Sequence, residues 1–420
     1  MKSFKFAAQW FARRLWLLRH RKKSSLQPVR PHPRLLVDVS AILRHDPHTG
    51  IQRVVRAVWS ELCRLNGRGF ELVPVYATYK EGYCYAPIEF LTSPRRRRRG
   101  APVVARQTDK FLALDLSAQF IPKYRAQLKA WRAQGTSIHV MVYDLLPLIR
   151  PEWFNPTTTL NFRKWFSVLV SEADHAICIS RQVSRDLRDR LRTTRSGERL
   201  SITNLQLGGD IDSSHPTVGV CSEVVQLLDR LRFRPSILMV GTVEPRKGYD
   251  IALAAFEHLW ATRGGEAPDL VIVGKKGWKT EALQRRIRSH KEHGARLHWL
   301  EGVTDEGLCR LYAASRGLLM TSFGEGFGLP LVEAVMQRRQ VLARDLPVFR
   351  EQGLPNVSYF EDDEPVPLGA KLMDLSRSGP LPAHVHVELP RWCDCVRNLL
   401  DSLGVVDHDS WRTSSAQVAE

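Results

Sequence analysis

GLLMTSFGEGFGLPLVEAVMQR, residues 317–338, compresses a short apolar run, a glycine-rich turn and a helix start into one segment. The run 317–320 is bounded by turn residues, which suits a strand buried in a parallel sheet. A helix then starts at Leu329, with Pro330 in its first turn, where a missing N–H costs nothing. Between the two, Gly324, Gly326 and Gly328 lack side chains, so backbone N–H groups can approach a ligand and point at it. Such a loop at a helix N-terminus is an anion site, because unpaired donors and partial positive charge converge there. Glu325 stands in the loop mouth, within reach of a ligand hydroxyl. Glu333 lies about one turn into the helix on the crevice side, where it can accept from a vicinal diol such as a ribose. Donors for phosphate and acceptors for two sugars describe a nucleotide-sugar site. A solvated glycine loop with a capping carboxylate is the alternative for this stretch alone.

The whole chain has 420 residues, which is long for one core and points to about two to three domains. Its 43% hydrophobic and 25% charged residues are those of a folded protein, which excludes a mainly disordered chain. A formal net charge of +18 and a pI near 9.9 imply an anionic partner: nucleic acid, an anionic membrane surface or a phosphorylated substrate. Seven cysteines without paired spacing imply reduced thiols in a cytosolic setting. Cys393 and Cys395 enclose one residue and have no matching ligand pair, so no metal is expected there.

Residues 1–23 place Phe4, Ala8, Phe11, Leu15 and Leu18 on one helical stripe among basic residues. Arginines interrupt the roughly 20 apolar residues a membrane span needs, and no small-residue cleavage site follows. An interfacial amphipathic helix on anionic lipid is the reading; a frayed basic tail is the alternative. A proline-rich linker follows to residue 34. A strand at 35–40, a loop at 41–50 and an amphipathic helix at 51–65 then open an α/β sheet whose ligand edge lies at the strands' carboxyl ends. Gly50, Gln52 and Arg53 fall at that edge, although Arg53 also suits a solvated helix face. The five arginines 95–99 suit either a solvated loop or a hold on membrane or lipid pyrophosphate.

Further strands are expected at 71–76, at 137–143 ending in Asp144, and at 173–180. Residues 192–235 read as irregular, with a domain boundary near 215–235. A second α/β series follows, with strands at 236–240, 270–273, 297–300 and 317–320 and helices at 249–260, 281–293 and 305–315. The organisation is an amino-terminal domain over 35–220, a carboxyl-terminal domain over 235–388, a helix at 389–404 crossing back to the first domain, and a polar tail at 405–420. Asp210 with Asp212, and Asp407 with Asp409, suggest metal-binding carboxylates but suit solvated loops better.

GTVEPRKG (241–248), VTDEGLCRLYAASRGLLMTSFGEGFGLPLVEA (303–334) and RDLPVFREQG (344–353) resemble the carboxyl domain of glycosyltransferase family 4, retaining enzymes with the GT-B fold. Glu325 and Glu333 match its pair of glutamates separated by seven residues. HTGIQRVVR (48–56) and YDLLPLIRPEWF (143–154) resemble a bacterial branch associated with polysaccharide and O-antigen assembly. The resemblance implies two Rossmann-like domains facing each other across a donor cleft, a nucleoside diphosphate sugar as donor, and no metal or other cofactor. It implies that Arg246 and Lys247 bind the donor pyrophosphate and offset the leaving group's growing charge. Gly241 and Thr242 would open the phosphate loop, and Glu325 would contact sugar hydroxyls. Gly326, Phe327, Gly328 and Leu329 would present backbone to sugar and phosphate, Glu333 would hold the ribose, and Gly50 would let the first domain close over the pyrophosphate.

Two positions depart from the pattern. Thr242 stands where many members have arginine, and Tyr143 where many have histidine, so Asp144 becomes the catalytic candidate facing donor sugar or acceptor. The implied reaction moves mannose or a related deoxyhexose from a GDP-sugar to a lipid-linked glycan on the inner face of the cytoplasmic membrane, with a UDP-sugar as the alternative donor. The competing classes are a basic nucleic-acid-binding protein and an inactive membrane scaffold. The first lacks any recognised module, so no specific nucleic-acid partner is expected.

Overall fold

The computed structural model describes residues 32–46, 49–91, 100–194, 199–214, 216–382 and 389–405. The expected amphipathic segment 1–23, the arginine run 95–99, Asp407, Asp409 and the polar tail from 406 lie outside the described residues.

Two sheets divide the strands by chain order. The first contains β1 (Arg34–Asp38), β2 (Glu71–Ala77), β3 (Tyr83–Tyr85), β4 (Lys110–Ala113), β5 (Ser137–Val142), β6 (His175–Cys178) and β7 (Ser201–Asn204) in the order β3-β2-β1-β4-β5-β6-β7. Only β3 runs antiparallel, as a short edge strand on β2. The second contains β8 (Ser236–Val240), β9 (Asp269–Val273), β10 (Leu297–Leu300), β11 (Gly317–Met320), β12 (Gln340–Arg344) and β13 (Val357–Phe360) in the order β10-β9-β8-β11-β12-β13, all parallel. That is the doubly wound order in which the chain reverses direction across the sheet beside its first strand. The switch point therefore lies at the carboxyl ends of β8 and β11, where an open parallel sheet leaves a crevice.

β1, β9, β10 and β11 are mostly apolar and buried at every position, as suits strands of a parallel sheet covered by helices. On the second sheet, the helix Tyr249–Arg263 packs Leu253, Phe256 and Leu259 against Ile237, Met239, Leu270 and Ile272. In the first half, the helix Gly50–Leu65 buries Val54, Val55, Val58, Trp59 and Leu62, one apolar stripe at helical spacing. The helix Trp392–Ser402 returns from the second half and packs on it. Gly208 permits that return, since a Cβ there would sit 2.4 Å from the Trp392 nitrogen. Asp210 accepts from that same N–H at 2.8 Å, so it caps the returning helix.

Some elements differ from the sequence reading. The stretch 192–235 is not irregular: it holds β7 and the helix Ser222–Leu231. β7 is half-exposed along its length and lacks the apolar run that marks the inner strands. The expected helix 281–293 ends at Arg288, and the first helix of the chain's first half is a short one at Ser40–Arg44, where a loop was expected.

Candidate active site

Two loops leave the switch point together. The loop after β8 begins at Gly241 and ends in a short 3-10 turn, Pro245–Lys247, closed by Gly248 in the left-handed region at φ 63°. A side chain at 248 is excluded twice, by that φ and by the Thr321 carbonyl oxygen 2.5 Å from where a Cβ would lie. Three bonds pin the loop to the one after β11. The Thr321 hydroxyl donates to the Lys247 carbonyl at 2.7 Å, the Phe323 N–H to the Arg246 carbonyl at 2.7 Å, and Arg246 Nη1 to the Gly324 carbonyl at 3.0 Å.

This pinning aims Arg246 and Lys247 at Glu325. Arg246 Nη1 lies 2.7 Å from Glu325 Oε2, and Lys247 Nζ lies 2.5 Å from Oε1, which also accepts from the Ser322 hydroxyl at 2.7 Å. Glu244, buried, takes the other end of the guanidinium at 2.8 Å. Burial by itself would push the Glu325 carboxyl up, but the Arg246 and Lys247 charges outweigh it and hold it at about 2. Glu325 is therefore an ionised acceptor at neutral pH and not a proton donor. Burial would likewise lower the Arg246 pKa, and the Glu325, Glu244 and Asp144 carboxylates raise it instead.

The glycines then bring backbone to the same place. Gly328 is left-handed at φ 94° and directly precedes the helix Leu329–Met336; a Cβ there would lie 2.6 Å from Phe349 Cε1. Among the described residues the N–H groups of Phe327, Gly328 and Leu329 have no protein acceptor. Gly326 abuts the other half of the molecule: a Cβ there would lie 1.9 Å from the Tyr143 carbonyl oxygen and 3.3 Å from Asp144 Cβ. Asp144 thus sits against the glycine loop from the other half, with Oδ1 accepting from the Leu146 N–H at 3.0 Å. Burial pushes its carboxyl up, and the Arg246 charge only partly opposes this. Tyr143, in the position the resemblance gives to histidine, is buried, and its hydroxyl donates to the Leu114 carbonyl at 2.7 Å. It faces the first sheet's interior and leaves Asp144 as the polar side chain at this strand end.

Glu333 lies deeper than the sequence suggests. Its side chain is 1% exposed, Oε1 pairs with Arg53, and Oε2 accepts from the Tyr312 hydroxyl at 3.0 Å. Arg53 also reaches Asp305 at 2.6 Å, and Asp305 accepts from Thr217 N and Oγ1 at 2.9 Å each. Arg53, open to a solvated reading in the sequence, thus joins the two halves through two carboxylates. The signal available was its place in HTGIQRVVR, three residues after Gly50. Gly50 itself lies beside Leu329, with 3.6 Å between a Cβ and Leu329 Cδ1, which is ordinary contact. A second set of cross-contacts was not foreseen: Trp278 Nε1 donates to the Trp153 carbonyl at 2.8 Å and Lys279 Nζ to the Glu152 carbonyl at 2.7 Å. Among the described residues, no three His, Cys, Asp or Glu side chains gather as a metal-ligating group.

Residues 232–381, which contain both loops, match the family described as glycosyl transferases group 1. This segment is a group 1 glycosyl transferase domain. The group 1 domain and the half before it are together 37% identical over 382 residues to the serotype-specific mannosyltransferase WbdA of Escherichia coli, covering 89% of this chain and 46% of that protein. The chain thus spans about half the length of that relative. The O-antigen chain mannosyltransferase B of Escherichia coli is 34% identical over 141 residues, covering 33% of this chain and 35% of that protein. Anabaena HepE, solved in complex with UDP-glucose, superposes with a TM-score of 0.54 at 15% identity over 92% of this chain and 100% of that one. The amino-terminal domain of a Candida albicans trehalose-6-phosphate phosphatase superposes with a TM-score of 0.55 at 13% identity, covering 94% and 98%. The fold is GT-B, with the group 1 domain as its second Rossmann-like half.

Proposed function

We propose that the chain is a retaining glycosyltransferase of family 4 that moves mannose or a related deoxyhexose from a GDP-sugar to a lipid-linked bacterial surface-polysaccharide acceptor. The observation that carries this reading is the convergence of Arg246, Lys247 and the unengaged N–H groups of Phe327, Gly328 and Leu329 on one crevice. Two cationic side chains and a run of N–H donors at a helix start suit a diphosphate, and few other ligands need all of them. As the glycosidic bond to the diphosphate breaks, negative charge grows on the leaving oxygens. Preset donors stabilise that charge without reorganising, which is the larger share of such catalysis. Glu325, held ionised, accepts hydroxyls of the transferred sugar, and its pairing with Arg246 and Lys247 fixes the three side chains against one another. Asp144 stands on the facing half, where an acceptor hydroxyl must enter, and burial raises its carboxyl above the ordinary carboxylate range, which favours its holding a proton.

The mannosyl and O-antigen parts of the proposal rest on the similarity to WbdA and mannosyltransferase B. Membrane placement rests on the basic composition and the lipid-linked character of the proposed acceptor; among the described residues no helix is long and apolar enough to cross a membrane. Purified protein offered GDP-mannose, GDP-rhamnose and UDP-glucose in parallel tests the donor. Turnover of the UDP-sugar with both GDP-sugars untouched would reject the guanosine assignment and leave the transferase reading standing.

A further inference from the structure

Three strands that neighbour one another in the second sheet, β8, β11 and β12, each start directly or one residue after an arginine: Arg234 before Pro235 and β8, Arg316 before β11, and Arg339 before β12. Because the strands are parallel and adjacent, those arginines gather at one edge of the sheet, opposite the donor crevice. A five-residue strand separates the two edges by about 16 Å. With Arg232 they line a cavity of about 260 Å³, with Phe233 at its rim and Ser315 in its wall.

The charges in this cavity are not balanced from within. Arg234 pairs with Asp269 at 2.9 Å, and Arg232 with Asp229 at 3.3 Å. Among the described residues Arg316 and Arg339 have no carboxylate partner. Among the described residues Arg339 Nε is buried without a hydrogen-bond partner, and the guanidinium reaches only the Ser315 carbonyl, at 3.4 Å. Burial lowers the Arg339 pKa, and the like charge of Arg316 lowers it further. A buried donor left unengaged beside a second cation is costly unless an anion sits between them. The backbone also adopts an unfavourable shape to deliver this residue: Arg338 is left-handed at φ 59°, and the turn it forms leads straight from the helix Leu329–Met336 into β12.

We propose that this cavity is a second anion site, independent of the donor crevice, that takes a phosphate group either free in solution or on a lipid headgroup. Guanidinium forks match phosphate oxygens two at a time, which a chloride ion cannot use. Phe233, 86% exposed between Arg232 and Arg234, supplies an apolar tip beside the charge, the pairing that anionic bilayers engage.

The full chain carrying Lys247→Ala, which weakens the donor crevice's own hold on phosphate, is the background to which Arg316→Gln is then added. Arg316 is exposed, so the change removes charge without opening the core, and the anion-free melting temperature checks that both variants fold alike. Thermal melts with inorganic pyrophosphate at constant ionic strength, and sedimentation with phosphatidylglycerol against phosphatidylcholine vesicles, are the two readouts. Loss of the pyrophosphate shift on adding Arg316→Gln supports the site with free phosphate as ligand. A drop of about fivefold in phosphatidylglycerol binding supports it with the headgroup as ligand. If Arg316→Gln changes neither, the site is overturned, whatever becomes of the donor reading.

Discussion

Replacing Arg53 by alanine should destabilise the protein by about 3 kcal/mol, an unusual cost for one residue at the start of a helix. The Arg53 side chain is 17% exposed and its partners Asp305 and Glu333 are 12% and 1% exposed, so both pairs are shielded from water. Breaking a buried pair by removing one partner typically costs about 3–5 kcal/mol, because the remaining charge is left buried and unpaired. The lower end applies, since Asp305 keeps its two Thr217 donors and Glu333 keeps the Tyr312 hydroxyl. For a chain of this size that corresponds to a melting temperature lower by roughly 3–4 °C. Urea denaturation of wild type, Arg53→Ala, Glu333→Gln and the double variant closes a cycle. A neutral amide at position 333 no longer needs the cation, so the double variant should be more stable than the sum of the singles predicts, by about 2 kcal/mol. The pH dependence has a definite sign. Burial would raise the Asp305 pKa, but Arg53 and Thr217 lower it below the unfolded value, so its contribution is present above about pH 4 and is lost as pH falls through the depressed value. The gap between wild type and Arg53→Ala should therefore narrow on acidification. A loss under about 1 kcal/mol, or a cycle additive within about 0.5 kcal/mol, would refute a buried clasp.

Lys247→Ala should lower kcat for sugar transfer by about 10²-fold with the fold intact by circular dichroism, since one preset charge on the leaving group is gone. Gly328→Ala meets a φ of 94° and a ring carbon at 2.6 Å, so urea denaturation should show a loss of about 2 kcal/mol or more together with weakened donor binding. Asp144→Asn should abolish most transfer while raising the melting temperature at pH 7–8. The wild-type carboxyl, raised by burial, stabilises the fold while protonated and loses that contribution as pH rises through its folded value; at pH 4 and below the two melts should converge. Equal melting of the two proteins at every pH would show that Asp144 is not desolvated.

What the sequence alone determined is local. The run 317–336 shows its strand, its glycine turn and its helix start because apolar periodicity, missing side chains and Pro330 each act over a few residues. GTVEPRKG likewise announces a loop carrying Arg246 and Lys247. What only the tertiary structure decided is long-range pairing. Arg53 finds Glu333 280 positions away, and its place in HTGIQRVVR marks a ligand edge without naming the carboxylate it pairs with. Tyr143 turns its hydroxyl to Leu114, which depends on β4 lying beside β5. The short strand β7 gains its order from its neighbour in the sheet rather than from its own apolar content. The arginines at 234, 316 and 339 meet because sheet order places β8, β11 and β12 side by side, and strand order is a property of packing between elements that residue spacing does not encode.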